Sequence, residues 1–314
     1  MRVRFSLPAL MQKILVIVGP TATGKSALAV KLAKKLARHK WGGFSGAEII
    51  SADSRQVYKG LNIGTGKITE KETRGVPHCL LDAANPKNRF TVINFQKLAR
   101  EKIAEICSRG HLPIICGGTG FYIEAVTKNI TLPDAPPNEK LRSALRNKTP
   151  ETLLNMLMKL DPKRGRTVDQ KNPRRIIRAI EIAKALGQVP MIKKSAIPYK
   201  IMQIGLTMPR KTLRKKIAER LHSRLSQGMI AEVKLLHKKG LSWKRMEELG
   251  LEYRYLSKHL KNEISKSKMI ERLNVEICRY AKRQILWFKR DKSIKWFGPK
   301  NFSKIQTTVK NFLR

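Results

Sequence analysis

The chain has 314 residues, of which 41% are hydrophobic and 28% charged, and its formal net charge is +43. A chain of this length can bury a substantial core, and its apolar runs are shorter than the roughly 20 residues that a membrane-spanning helix needs. The cysteines have neither the paired spacing of zinc sites nor that of a disulfide framework, and they stand at Cys79, Cys107, Cys116 and Cys278.

The charge balance favours a polyanionic partner. There are 66 Lys+Arg against 23 Asp+Glu, and the pI is near 10.6. A field of this sign attracts nucleic acid, although a lysine-biased genome would also produce a basic chain. Arginine clusters in 172–178 and 280–292 favour nucleic acid, because planar guanidinium groups suit phosphate. We therefore expect a soluble cytoplasmic protein with reduced thiols, a nucleic-acid partner and no membrane partner.

The N-terminal part of the chain predicts an extension followed by a strand, a loop and a helix. Residues 1–12 are expected to be a disordered extension, and Met11 is an alternative start to Met1. The apolar run at 14–18 is typical of a buried strand, and 26–40 has apolar residues at helical spacing.

Further strands are predicted at 47–51, 78–81 and 112–116, and a helical pattern occupies 92–110. Strands that alternate with helices indicate an α/β fold with a parallel sheet and helices on both faces. The core in this first part is expected to span 13–131.

The pattern changes at a proline-rich break, residues 132–137. From there to about residue 188 the sequence predicts only helices, so we expect an all-helical insertion domain over 132–196. The core then resumes over 197–314 as a basic helical region, with strands predicted at 199–208 and 294–297.

The sequence GPTATGKS at 19–26 fits the phosphate-binding pattern G-x-x-x-x-G-K-[ST] between a predicted strand and a predicted helix. The glycines let backbone N–H groups converge on an anion, and the lysine neutralises its outer phosphate. The serine hydroxyl is suited to Mg²⁺, and the pattern does not distinguish a nucleotide such as ATP from another diphosphate. The residues expected to cradle the anion are Gly19, Pro20, Thr21, Ala22, Thr23, Gly24, Lys25 and Ser26.

Two more loops follow predicted strands, where doubly wound sheets bind ligands. The segment 51–67 is polar and glycine-rich and contains Asp53, which is either functional or a turn-forming aspartate. The segment 117–122, GGTGFY, offers two glycines for close backbone approach and the hydroxyl of Thr119.

Six segments in this order and spacing resemble tRNA dimethylallyltransferases of the bacterial type. The resemblance covers about 14–297, and it implies a P-loop NTPase-like sheet with the helical insertion. It further implies transfer of a dimethylallyl group from dimethylallyl diphosphate to the exocyclic amine of the adenosine 3′-adjacent to the anticodon. We expect the protein to be a monomer. The segments are GPTATGKS, ADSRQVYKGLNIGTGK, VPHCLLD, GGTGFYIEA, DQKNPRRIIRAIEI and YAKRQILWFKRDK.

The resemblance also implies roles for individual residues. Lys25 and Ser26 would hold the donor diphosphate with Mg²⁺, and Asp53 would be the base toward the adenine amine. Arg220 would face the diphosphate, with Arg224 one helical turn later as the alternative. The catalytic set would be Asp53, Thr119, Lys25 and Arg220. The tRNA would be contacted by Asp53, Ser54, Arg55, Gln56, Thr119, Gln170, Lys171, Asn172, Pro173, Arg174 and Arg175.

The sequence departs from the usual family pattern at three places. Asn62 and Gly66 stand where the family commonly has aspartate and alanine, and GLEYR at 250–254 replaces a Gly-Tyr-basic sequence. The zinc finger of eukaryotic relatives is absent from the sequence.

Three alternative functions share the strand–loop–helix pattern. A P-loop kinase of a nucleoside or small metabolite would need an arginine-rich lid but no such net charge. A nucleic-acid-stimulated NTPase would need an apolar strand ending in aspartate, which 49–53 matches poorly. A prenyltransferase of the cytokinin type, acting on adenylate, would not need the long basic C-terminal half.

Overall fold

A computed structural model describes residues 12–191 and 196–314. The predicted extension and the alternative start at Met11 lie outside the described residues, except that Gln12 already begins the first strand. The described residues form two compact units, one made of 12–128 and 197–314, the other made of the described residues between 129 and 196.

The first unit contains a six-stranded sheet in which every neighbouring pair is parallel. The order is β3-β2-β4-β1-β5-β6, which confirms the predicted α/β fold class. β3 is shorter than predicted because Leu80 has a φ of 62°, a left-handed conformation that ends an extended strand. The strands are β1 (Gln12–Val18), β2 (Gly46–Ala52), β3 (His78–Cys79), β4 (His111–Gly117), β5 (Tyr199–Leu206) and β6 (Lys295–Phe297).

Helices cover both faces of this sheet. Alternate residues of β1 belong to different cores. Leu15 and Ile17 pack with the helices at 25–39 and 302–313, whereas Val16 packs with the helices at 92–108 and 120–127. A sheet buried on both faces requires such continuous apolar strands. The helices of this unit that precede β5 are α1 (Lys25–His39), α2 (Glu70–Thr73), α3 (Val92–Ser108) and α4 (Gly120–Thr127).

A third core in the same unit is formed by the helices that follow β5. Leu221, Tyr253 and Leu273 from three of these helices pack against Val57 and Leu61, in the loop after β2. This packing holds the helices over the carboxyl edge of the sheet. They are α9 (Arg210–Ser226), α10 (Met229–Lys238), α11 (Trp243–Leu249), α12 (Leu251–Leu260) and α13 (Lys266–Phe288), and α14 (Phe302–Leu313) follows β6.

The regular elements of the second unit, among its described residues, are helices joined by loops. Its core joins α6 and α8 through Leu153, Leu157, Ile176 and Ile180. The buried Glu181 carboxylate accepts from Arg142 Nε over 2.7 Å, so this buried acidic group is paired. The helices are α5 (Glu139–Leu145), α6 (Pro150–Leu160), α7 (Pro162–Thr167) and α8 (Pro173–Leu186).

In the part of the chain that the structure describes, no helix is both long enough and apolar enough to pass through a membrane.

Candidate active site

A cleft of about 400 Å³ opens at the carboxyl edge of the sheet. It is formed by the P-loop, the loop after β2, the end of β4 and helices α9, α12 and α13. A wider cavity of about 830 Å³ lies beside α10, but it contains neither the P-loop nor Asp53, so we place the chemistry in the smaller cleft. The charged side chains of the cleft are Lys25, Asp53, Arg55, Arg220, Arg224, Glu252, Arg254, Glu276 and Arg283.

The P-loop has the backbone geometry that its sequence predicts. Gly19 has a φ of 143°, and a Cβ there would lie 2.5 Å from the carbonyl oxygen of Leu206. Gly24 has a φ of 85° and precedes α1 without a capping side chain. The first N–H groups of α1 therefore remain available to an anion, and the positive end of the helix dipole faces the cleft.

Two cations of the cleft have lowered pKa values. Desolvation lowers the pKa of Lys25 to about 8, and the nearby Arg220 adds to this effect. Burial lowers the pKa of Arg220 to about 10, with Arg224 as the second cause. Lys25 Nζ donates to the carbonyl oxygen of Pro20 over 2.7 Å. Closely spaced cations that lose solvation are stabilised by an anion between them, which fits a diphosphate site.

The structure separates the roles of the two arginines on α9. Arg220 Nη1 donates to Thr21 Oγ1 in the P-loop over 3.1 Å, and its Nη2 donates to the carbonyl of Gly66 over 3.2 Å. Arg224 Nη1 instead donates to Glu252 Oε1 over 3.2 Å. A Cβ at Gly66 would overlap both guanidinium groups, so the departure from alanine at this position makes room for them. Arg220 is the arginine that faces the P-loop.

Asp53 follows β2 directly and lines the cleft. Its Oδ1 accepts from the N–H groups of Arg55 and Gln56 over 2.8 and 3.3 Å. Asp53 therefore forms the turn that the sequence allowed. The other oxygen, Oδ2, makes no hydrogen bond to residues 12–191 or 196–314, so one side of the carboxylate remains available for chemistry.

The loop after β4 lies against the Asp53 loop because β2 and β4 are neighbours. Thr119 Oγ1 accepts from the N–H of Ser54 over 3.0 Å, and the hydroxyl of Tyr280 contacts the Thr119 side chain. Burial raises the pKa of Tyr280, which keeps its phenol protonated. Thr119 thus joins the two loops, and Gly117 and Gly118 form the adjoining wall of the cleft.

The loop after Asp53 is held by a carboxylate on α10. Glu232 accepts from the N–H groups of Asn62, Ile63 and Gly64 over 3.0, 2.6 and 3.0 Å, and from the hydroxyl of Tyr253 over 2.9 Å. Four donors converge on this carboxylate, so the loop has one defined path along the cleft.

The predicted tRNA-contacting segment 170–175 belongs to the second unit. Asn172 caps α8 by accepting from the N–H of Arg175, whose guanidinium donates to Asp169 Oδ2 over 3.0 Å. Arg174 and Lys171 are exposed. Within its own unit, the segment therefore offers cations to solvent.

The sequence interpretation assigned no role to Glu232, Glu252, Tyr280 or Gln284, although the structure places all four around the cleft or its loops. The last three lie within GLEYR and YAKRQILWFKRDK, segments singled out as wholes. A helix has several faces, and the sequence does not show which face meets the cleft.

A candidate Mg²⁺ ligand is present at the start of α1. Ser26 lines the cleft, where its hydroxyl lies beside the P-loop cradle. Among the described residues, no three His, Cys, Asp or Glu side chains form a metal cluster. A serine hydroxyl beside a phosphate cradle is a suitable donor for Mg²⁺, which is commonly held by one or two protein oxygens, substrate phosphates and water.

Comparison with known proteins identifies related chains. Residues 56–291 match the family model described as IPP transferase. A tRNA dimethylallyltransferase 1 of Syntrophus aciditrophicus is 39% identical over 313 residues, 97% of this chain and 100% of its own length. A tRNA dimethylallyltransferase of Anoxybacillus flavithermus is 40% identical over 91% of this chain and 90% of its own. The structure of the full-length tRNA isopentenylpyrophosphate transferase from Bacillus halodurans superposes with a TM-score of 0.71 at 35% identity, over 96% of this chain and 97% of that one.

Proposed function

The chain belongs to the IPP transferase family and is a tRNA dimethylallyltransferase. We propose that the donor of its dimethylallyl group is dimethylallyl diphosphate. The acceptor is the exocyclic amine of the adenosine 3′-adjacent to the anticodon. The alternative of a P-loop kinase receives no support, since the relatives compared above are transferases that modify tRNA.

One observation carries the assignment of the site. The P-loop, Arg220 and the free oxygen of Asp53 meet in a single cleft at the carboxyl edge of the sheet. The first two bind a diphosphate, and the carboxylate can accept a proton from an amine beside it. A cleft with these three groups supports transfer between an allylic diphosphate and a weakly basic amine.

On this proposal the donor half of the reaction belongs to the P-loop. The C1–O bond of the donor breaks and its electron pair leaves with the diphosphate, while the positive charge is delocalised over the allyl group. Lys25, Arg220 and the N-terminus of α1 stabilise the leaving diphosphate, because their positive charges are already oriented toward it. Mg²⁺ held by Ser26 and the diphosphate would add further neutralising charge.

The acceptor half belongs to the Asp53 and Thr119 loops. The adenine amine forms the new N–C1 bond and loses one proton, since its lone pair is spread into the ring and the neutral product requires deprotonation. Asp53 Oδ2 is the group that we propose takes this proton. The base must leave the stacked anticodon loop to enter the cleft, at a cost of a few kcal/mol that contacts with RNA offset.

The remaining assignments concern the partner and the setting. We propose that the exposed cations of 170–175 bind the tRNA backbone, as the net charge of +43 favours. We further propose that the chain acts as a monomer in the cytoplasm.

The test is transfer of label into tRNA. Dimethylallyl diphosphate labelled in the allyl group is compared with ATP labelled in the γ-phosphate, on a tRNA with adenosine next to the anticodon and on the same tRNA with guanosine there. We expect label only from the allylic donor and only in the adenosine tRNA. Phosphate label in RNA, or in a small metabolite, would overturn the proposal in favour of a kinase.

A further inference from the structure

The side chain of Gln284 bridges the donor loop and the acceptor loop of the cleft. The N–H of Thr21, in the P-loop, donates to Gln284 Oε1 over 2.9 Å. Gln284 Nε2 donates in turn to the carbonyl oxygen of Gly118, after β4, over 2.9 Å. Gln284 is only 6% exposed, so both ends of its amide are used inside the protein.

The surroundings are shaped around this bridge. Tyr280, Gln284 and Trp287 are spaced by four and three residues, so they share one face of α13. Tyr280 contacts Thr119, and a Cβ at Gly118 or Gly120 would overlap Gln284 or Trp287 respectively. The helix therefore contacts residues 118–120 of this loop, and Gln284 extends the contact to the P-loop.

We infer that Gln284 is a positioning residue that sets the distance between the donor carbon and the acceptor amine. The inference rests on the proposed function, in which the P-loop holds the diphosphate and the Asp53 and Thr119 loops hold the adenine. Bond formation requires the reacting atoms to lie about 3–3.5 Å apart, and a shift of about 1 Å costs on the order of 10²-fold in rate. A single amide bonded to both loops resists such a shift.

The bridge also determines where the allylic cation goes. When the amine is correctly placed, each diphosphate released corresponds to one prenylated tRNA. When the loops separate, water reaches C1 instead: the C1–O bond to diphosphate breaks, the water oxygen bonds to C1, and a proton goes to solvent. The products are then dimethylallyl alcohol and free diphosphate. The ratio of prenylated tRNA to released diphosphate therefore measures the positioning.

The experiment compares the full-length protein with Gln284→Met, Gln284→Asn and a control, Gln96→Met. Methionine keeps the length of the side chain and removes both hydrogen bonds, whereas asparagine keeps the amide but is one methylene too short to reach both loops. Gln96 is likewise buried, and its Nε2 donates to the backbone carbonyl of Ala125 over 2.6 Å in the packing of α3 against α4. Its loss tests the effect of removing a buried amide outside the cleft.

We expect both Gln284 variants to transfer on the order of 10²-fold more slowly and to release more diphosphate than prenylated tRNA, with the KM for the donor nearly unchanged. Gln96→Met should keep the wild-type ratio even if it is less stable. The ratio of prenylated tRNA to released diphosphate compares two products of the same folded molecules, so loss of folded protein does not alter it. A wild-type ratio in the Gln284 variants would overturn the positioning role. Absence of prenylation in the wild type would instead overturn the proposed function.

Discussion

Arg220 Nη1 donates a hydrogen bond to Thr21 Oγ1 over 3.1 Å, which joins α9 to the P-loop. Arg224 lies one helical turn later, on the same face of α9, and is bonded to Glu252. Burial raises the pKa of Glu252, and the adjacent Arg224 opposes this rise by favouring the charged carboxylate. The two arginines thus have different partners, which leads to different expected effects of mutation.

Arg220→Ala should impair catalysis and Arg224→Ala should impair stability. On the proposed function, removing Arg220 takes away a charge that faces the leaving diphosphate, so we expect kcat to fall about 10²–10³-fold. Removing Arg224 leaves the buried Glu252 without its partner, which should lower the free energy of unfolding by on the order of 3 kcal/mol. Steady-state kinetics and urea unfolding measure the two effects. The reverse result, with Arg224→Ala stable but inactive, would exchange the two assignments.

The affinity for the donor should weaken as the pH rises through about 8. The lowered pKa of Lys25 means that its charge is present below about pH 8 and is lost above it. Because the proposed function has the diphosphate bind the protonated form of Lys25, the KM for the donor should rise with pH in this range. The KM should be measured at pH values above the range in which the diphosphate itself gains or loses a proton. Lys25→Met is the control, with a high KM that no longer changes with pH. A KM for the donor that does not change with pH in the wild type would contradict the role of Lys25. A large loss of tRNA affinity in Lys25→Met would also contradict it.

Asp53→Asn should slow the chemical step by about 10²–10⁴-fold while substrate binding barely changes. The substitution is a clean test because asparagine also has an oxygen that can accept from the N–H groups of Arg55 and Gln56, which preserves the turn. It lacks only the basic oxygen. Single-turnover transfer with saturating tRNA and donor gives the rate. A slowing of less than about tenfold would mean that the proton goes elsewhere, with Thr119 or the substrate diphosphate as the next candidates.

Affinity for tRNA should fall steeply with salt, with a log–log slope of roughly −0.7 to −0.9 for each phosphate contacted. Arg174→Gln should reduce the magnitude of this slope by about one if its exposed guanidinium binds a phosphate. Lys304→Gln is the matched control, since Lys304 is an exposed cation on α14, where no RNA contact is expected. Filter binding over a salt series provides the slopes. A flat response in the wild type would indicate that the positive charge reflects genome bias.

The sequence alone determined the fold class and predicted the conformation of the P-loop. The glycines, Lys25 and Ser26 of the P-loop are contiguous, so the conformation that they require can be inferred from their spacing. Strands β1, β2 and β4 are buried on both faces, and their apolar runs show this directly. The position of Asp53 at the carboxyl edge of the sheet could also be predicted from the sequence, because the carboxyl ends of parallel strands meet at one edge.

The tertiary structure decided which side chains meet in the cleft. Arg220 and Arg224 share one helical face, so periodicity does not separate them, and only the packing of α9 brings the first to Thr21 and the second to Glu252. Gln284 stands 263 residues from Thr21, and its motif is equally compatible with a solvent-facing amide. Local patterns determine the elements because backbone conformation depends on near neighbours, whereas contacts between distant segments depend on how complete helices pack.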